Sequence, residues 1–308
     1  MAKSRSPVLQ TLLWRVEAVG FDLFTLLARL APIDAWSAAF GALFKTLGPV
    51  TSAHRTARRN LRLALPDLPE TEVRAILAAQ WENFGRYIGE FPITDRLTHA
   101  SGRVELTDVA RLKAIARAER PVVLISGHLS NMEILAAAVL AIGFPFQVTY
   151  RALNNPYVDE RVRRGRMRYG VRLFAPKGAE GARDLLGALK EGRSVAMLND
   201  QRYDGGVAAP FFGRPVMTNP AAVRLAMRFG TSIQPMSIQR IRGAHFRVFA
   251  HDPIVVADTG DRTADIAAGV AAINAFIEGR VRERPGEWWW VHKRWPAEDY
   301  AELEARGL

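Results

Sequence analysis

The chain has 308 residues, 49% hydrophobic and 24% charged, with 42 Lys plus Arg against 31 Asp plus Glu and a formal charge of +11. That composition sets aside a disordered chain and allows one large core or two modest ones. The charge suits an acidic partner, whether nucleic acid, anionic lipid or an acidic carrier protein, and the absence of cysteine excludes disulfides, thiolate nucleophiles and cysteine metal sites.

Residues 8–30 form an apolar run with no small-residue cleavage site after it, which argues against a removable signal peptide. Arg15, Asp22 and Arg29 recur every seven residues. With Thr11, Ala18 and Thr25 they draw one narrow polar stripe on a helix otherwise covered by residues such as Leu12, Val16, Val19, Leu23, Phe24 and Leu27; Glu17 falls off the stripe. Such a helix lies in a membrane interface, or crosses the bilayer obliquely with its stripe covered by the next apolar segment, residues 35–47. A buried helical hairpin of a soluble protein is the third possibility. The cost of burying charges in hydrocarbon favours the interfacial or covered placement over a simple span.

His54, Arg55, Arg58, Arg59 and Arg62 then read as the cytoplasmic flank of a membrane-associated segment. A connecting helix follows, capped at Thr71, with Val73, Ile76, Leu77, Trp81, Phe84 and Ile88 at helical spacing. From about residue 101, short apolar runs at 122–125, 146–150, 194–198, 233–238 and 246–250 alternate with helical segments. The pattern predicts an α/β fold, a mixed central sheet flanked by helices. Three regions are expected: a membrane-associated helical segment over 1–50, a helical connector over 51–100 and an α/β domain over 101–308. A last helix at about 263–284 runs into Pro285 and Trp288-Trp289-Trp290-Val291-His292-Lys293-Arg294-Trp295, a segment that suits either core packing with a basic rim or an interfacial role.

The run 121–125 ends at Ser126-Gly127-His128, which sets His128 on the turn where a buried strand feeds a helix, the edge at which α/β sheets present ligands and catalytic groups. Glu133 follows five positions later. On one helix the two would not share a face, so His128 must precede the helix and fold its imidazole over the first turn, where the Glu133 carboxylate can meet it. That carboxylate would fix the ring tautomer and stabilise the imidazolium formed when His128 takes a proton from a hydroxyl. Ser130-Asn131-Met132-Glu133 is equally a capping box, with Glu133 bonded to the Ser130 amide.

His128-Leu129-Ser130-Asn131-Met132-Glu133 resembles the His-x4-Asp/Glu motif of the glycerolipid and lysophospholipid acyltransferase superfamily, and the surrounding chain is similar to the bacterial late lipid A acyltransferases. The resemblance extends over Arg58-Arg59-Asn60-Leu61, Leu65-Pro66, Trp81-Glu82-Asn83-Phe84-Gly85-Arg86 and Glu90. Downstream it takes in Tyr150-Arg151, Asn199-Asp200-Gln201, Pro210-Phe211-Phe212-Gly213, Pro235 and residues 287–295. It implies an O-acyltransferase of the inner membrane, with its catalytic domain on the cytoplasmic side. His128 would be the general base and Glu133 its partner, in direct transfer from an acyl thioester of acyl carrier protein or coenzyme A to a lipid A precursor. The chain agrees independently in having no cysteine and no Gly-x-Ser-x-Gly elbow.

Arg151, Arg161, Arg163, Arg164, Arg166, Arg168 and Arg172 crowd one stretch, with Lys177 shortly beyond; singly each fits a solvated helix face, together they fit phosphates or an acidic carrier protein. Among these basic residues, Arg151, Arg164 and Arg168 are the expected substrate contacts. Asp200 and Gln201 close a strand and are expected to touch substrate, and Phe212 and Gly213 to line an acyl cavity, although a turn and a plain core position account for the same residues. No metal or nucleotide cofactor is expected, because His54, His99, His245, His251 and His292 lack ligand spacing and no phosphate-loop or dinucleotide fingerprint occurs. The same chemistry on another acceptor (a lysophospholipid, a glycosylated phosphoinositide or an amino-acid lipid) is not separated by motif. A non-catalytic basic membrane- or nucleic-acid-binding protein is disfavoured by the lack of any nucleic-acid motif.

Overall fold

Ser6 accepts from the Leu9 amide and Pro7 occupies the first turn, and from that start α1 runs Pro7–Leu30. The computed structural model describes residues 6–117, 120–150, 152–172, 174–176 and 179–307. α2 (Ile33–Leu47), α3 (Ser52–Ala64) and α4 (Glu70–Glu90) follow, and a 3-10 stretch (Phe91–Arg96) ends the helical part. α4 begins one residue before Thr71, behind Pro69 and without a side-chain cap. Then come β1 (Val104–Leu106), α5 (Val109–Arg117), β2 (Val123–Ser126), α6 (Met132–Ala141), β3 (Phe146–Tyr150), α7 (Pro156–Arg168), β4 (Phe174–Pro176), α8 (Ala179–Lys190) and β5 (Ser194–Leu198). β6 (Val207–Phe211), β7 (Arg214–Thr218), α9 (Ala221–Phe229), β8 (Ile233–Arg242), β9 (His245–Ala250), α10 (Arg262–Glu283) and α11 (Ala297–Ala305) complete the chain.

Among the described residues the main sheet has seven strands in the order β1-β9-β8-β2-β5-β3-β4. It is mixed: β8 and β9 are antiparallel and the other neighbours parallel. All five expected runs are strands of this sheet. β1 and β4 were not expected, because a three-residue edge strand is too short to show alternation. β6 and β7 form a separate hairpin closed by Phe212 (φ 51°) and Gly213 (φ 73°), the two positive angles of a two-residue turn.

Alternation along β2 divides the core. Val123 and Ile125 face a cluster with Leu61, Leu77, Ile277, Trp288, Trp290 and Trp295. Val122 and Leu124 face the other, with Ile134, Leu135, Val139 and Phe146. The aromatic tail is therefore largely core: Trp288, Trp290 and Trp295 are all buried. Asn60 anchors it by donating to the Trp290 and His292 carbonyls while accepting from the Tyr300 hydroxyl.

The polar stripe of α1 faces protein. Asp22 pairs with Arg161 of α7 at 2.7 Å and Arg29 with Asp95 at 2.8 Å, while Arg15 lies over the Tyr157 ring. Glu17, off the stripe, takes a bond from Asn155, the residue that caps α7. The apolar side is left outward, with Val8 80%, Val19 65% and Leu30 75% exposed, and Leu12, Val16, Leu23, Leu26 and Leu27 beside them. Among the described residues no helix is long and apolar enough to cross a membrane.

Candidate active site

The register of two parallel strands builds the site. Ser126 of β2 lies opposite Leu198 of β5, so two residues past each strand end His128 and Asp200 arrive side by side. Asp200 receives the His128 ring Nδ1 at 2.7 Å on one oxygen, and the His128 amide at 2.7 Å and the Trp288 indole N–H at 2.8 Å on the other. Gly127 eases the approach, since a Cβ there would sit a tight 3.3 Å from the Asp200 carboxylate. Burial by itself would raise the Asp200 carboxyl, but the neighbouring imidazole and these three donors outweigh it and hold the group well below the usual carboxylate range. An ionised Asp200 accepts from an Nδ1–H, so in the neutral ring the lone pair is on Nε2.

The tail closes around this pair. Leu129 and Trp288 form an antiparallel bridge, the Trp289 amide donates to the His128 carbonyl, and the Trp289 ring stands 5.3 Å from the imidazole. Arg294, 1% exposed, donates to the carbonyls of Gln201 and Met217 and to Thr218 and Asn274. Burial pulls its guanidinium down to about 10.

Glu133 does not meet the imidazole as the sequence suggested, and neither is the capping box formed. Asn131 is the cap of α6, its side chain accepting from the Ile134 amide and donating to the buried Glu90, while the Ser130 amide donates to the Glu287 carbonyl. With the helix begun at Met132, Glu133 falls in its first turn and turns toward α7. There Arg166 grips it through two nitrogens, Nε at 3.0 Å, and the hydroxyls of Tyr169 and Tyr87 also donate to it. The Glu133 charge and bond raise Arg166 against the opposing effect of burial, and burial beside the carboxylate raises both tyrosines.

His128 and Glu133 do share one feature, a cavity of about 410 Å³ between α6 and the sheet. At its polar end are His128, Glu133, Arg166, Gln201 and Trp289. Much of the rest of the lining is apolar: Leu124, Ala196 and Val148 form one cross-strand row, with Leu135 and Val139 of α6 and Phe146 at the start of β3, joined by Ser126, Thr149 and Tyr150. Lined this way, it suits a ligand that is mostly hydrocarbon and carries a polar group.

Of the residues expected to bind substrate, Gln201 lines the cavity and Asp200 stands directly behind His128. Arg164 and Arg168 are exposed on the outer side of α7, Arg164 paired with Glu160. Phe212 and Gly213 lie in the β6–β7 turn instead of the cavity: Phe212 packs on Phe211 and Trp290 beneath Arg282, because the turn is folded onto α10. Arg151 lies outside the described residues. Sequence reasoning gave no special role to Arg166, Tyr169, Tyr87 or Trp288. Arg166 was visible only as one arginine in a crowd.

A family model described as bacterial lipid A biosynthesis acyltransferase matches residues 7–297. A lipid A biosynthesis palmitoleoyltransferase of Escherichia coli K12 is 26% identical over 245 residues, covering 77% of each chain. A lipid A biosynthesis acyltransferase of Haemophilus influenzae is 26% identical over 270 residues, 83% of this chain and 81% of its own. The E. coli lipid A biosynthesis lauroyltransferase is 23% identical over 248 residues, 78% of each chain. With a match spanning nearly the whole length, the chain belongs to the bacterial lipid A biosynthesis acyltransferase family.

Proposed function

We propose that this protein transfers a fatty acyl group directly from an acyl thioester, on acyl carrier protein or coenzyme A, to a hydroxyl of a lipid A precursor. The observation that carries the reading is the His128–Asp200 pair at the polar end of an apolar cavity. Asp200 orients the imidazole through Nδ1 and stabilises its charged form, so that Nε2 can take the proton of an attacking hydroxyl. The acyl chain lies along the apolar lining, its thioester carbon near Nε2. Glu133, first expected to support the base, supports Arg166 instead and keeps a guanidinium at the cavity wall, suited to an anionic substrate group. Arg164 and Arg168, outside the cavity, are candidate contacts for an acidic donor protein.

The outward apolar face of α1 supports association with the inner membrane from the cytoplasmic side. A helix that turns its charges to the protein and its leucines and valines to solvent has its exposed face suited to acyl chains. The test is transfer from a labelled acyl thioester to a purified lipid A precursor, read by mass. Wild type adds one acyl group and His128→Ala, correctly folded, is slower by about 10²–10⁴. A near-normal rate in that variant refutes the mechanism.

A further inference from the structure

Acyl transfer needs a donor for the carbonyl oxygen once it carries negative charge, and most N–H groups around His128 are committed. The His128 amide is on Asp200, the Leu129 amide on the Gly127 carbonyl, the Ser130 amide on the Glu287 carbonyl and the Trp289 amide on the His128 carbonyl. The Trp288 indole is on Asp200, the Arg166 guanidinium is forked onto Glu133 through Nε and Nη2, and the Trp289 indole N–H, though unpartnered, is buried away from the cavity surface. Gln201 differs. Its side chain lines the cavity beside His128, and its Nε2 stands 3.4 Å from His128 Nε2, a long contact that is readily given up. Its backbone is fixed, because Arg294 holds the Gln201 carbonyl at 3.1 Å. A carboxamide held by one long contact thus stands on a fixed backbone, with its amide nitrogen beside His128 Nε2.

We propose, resting on the acyl-transfer reading above, that Gln201 is a catalytic residue whose Nε2–H donates to the oxyanion of the tetrahedral intermediate. An acceptor hydroxyl about 3 Å from His128 Nε2 displaces the amide from the lone pair, and the thioester oxygen arrives beside the freed N–H. The hydroxyl oxygen then bonds to the thioester carbon, its proton passes to Nε2, and the C=O π pair moves onto oxygen. When that pair returns, the C–S bond breaks and the leaving thiolate takes the proton from Nε2. The Gln201 bond strengthens only while the oxygen is charged, so it lowers the barrier without tightening the ground state.

The experiment compares wild type, Gln201→Leu and the isosteric Gln201→Glu, which keeps volume while replacing the donor with an acceptor. Both variants lose about 10²–10³ in kcat, as expected for one oxyanion donor, with KM for the donor changed by less than about threefold. A phosphonate analogue of the tetrahedral intermediate loses affinity by the same factor as kcat/KM, while a thioether analogue of the intact donor loses none. A merely structural role would weaken both analogues alike. Near-normal kcat in folded Gln201→Glu, or equal weakening of the two analogues, overturns the proposal while leaving acyl transfer standing. Wild type that transfers nothing from the thioester removes the reading beneath it.

Discussion

Asp200 is the residue whose role changed most between sequence and structure. It stood out only as a strand-end acid, while Glu133 stood in a motif with His128. Local spacing cannot rank them, because the Asp200 contact spans 72 positions and depends on which strands are neighbours and in what register. Once β2 and β5 are known to be parallel, the equal overhang of His128 and Asp200 is legible; before that it is not. Asp200→Asn is predicted to keep the fold and lower kcat by about 10²–10⁴. Its amide would donate to Nδ1 and leave the proton on Nε2, the wrong nitrogen for a base. Unchanged single-turnover rates would show that the carboxylate does not orient the base. Glu133→Ala leaves the mostly buried Arg166 without its counter-ion, a change that costs about 3 kcal/mol when such a pair is broken from one side. The melting temperature should fall, and Glu133→Ala with Arg166→Met should recover part of it.

α1 shows how an element can be read correctly and oriented incompletely. Its stripe is plain from the seven-residue recurrence, and the sequence offers three placements for it: in a membrane interface, crossing obliquely under cover of residues 35–47, or buried in a soluble hairpin. The partners proved to be α7 and the 3-10 stretch Phe91–Arg96, through Arg161 and Asp95, pairings that long loops hide from any sequence window. Two outward changes, Val16→Glu and Val19→Glu, are predicted to release the protein from lipid vesicles in a flotation assay without lowering its melting temperature, because neither side chain is packed. Continued flotation would rule out the apolar face as the anchor. The arginines of α3 are weaker anchors than their number suggested: Arg58 and Arg62 pair with Glu70, and Arg59 with Glu304. Elsewhere a buried ion pair ties elements together. Arg240 of β8 reaches Glu90 of α4 at 3.0 Å, and Glu90 in turn takes bonds from Ser37 of α2 and Asn131 of the α6 cap. Arg240→Met strands the buried carboxylate and should cost about 3–5 kcal/mol in denaturant unfolding, while a loss below about 1 kcal/mol would mean that the pair is solvated.

Across the whole molecule, the sheet's five main strands and the long helices were legible because each carries a periodic apolar signal. The edge strands and the β6–β7 hairpin were not, and the tryptophan tract fits core and interface alike in sequence, since their places are decided by tertiary pairing. The same pairing makes stability depend on pH. The folded carboxyl of Asp200 lies below its unfolded value of about 3.9, so its contribution is complete above that value and is lost as pH falls through it toward the folded value. Unfolding free energy should therefore fall less for Asp200→Asn than for wild type between about pH 5 and about pH 3, and parallel profiles would contradict the assignment. The central claim, that His128 and Asp200 add an acyl chain to lipid A, is tested most directly by mass spectrometry of total lipid A from cells lacking this gene. The mass should drop by one acyl chain and be restored by wild type, but not by His128→Ala or Asp200→Asn expressed at the same level. Lipid A of unchanged mass in the deletion, or full restoration by either variant, would contradict it.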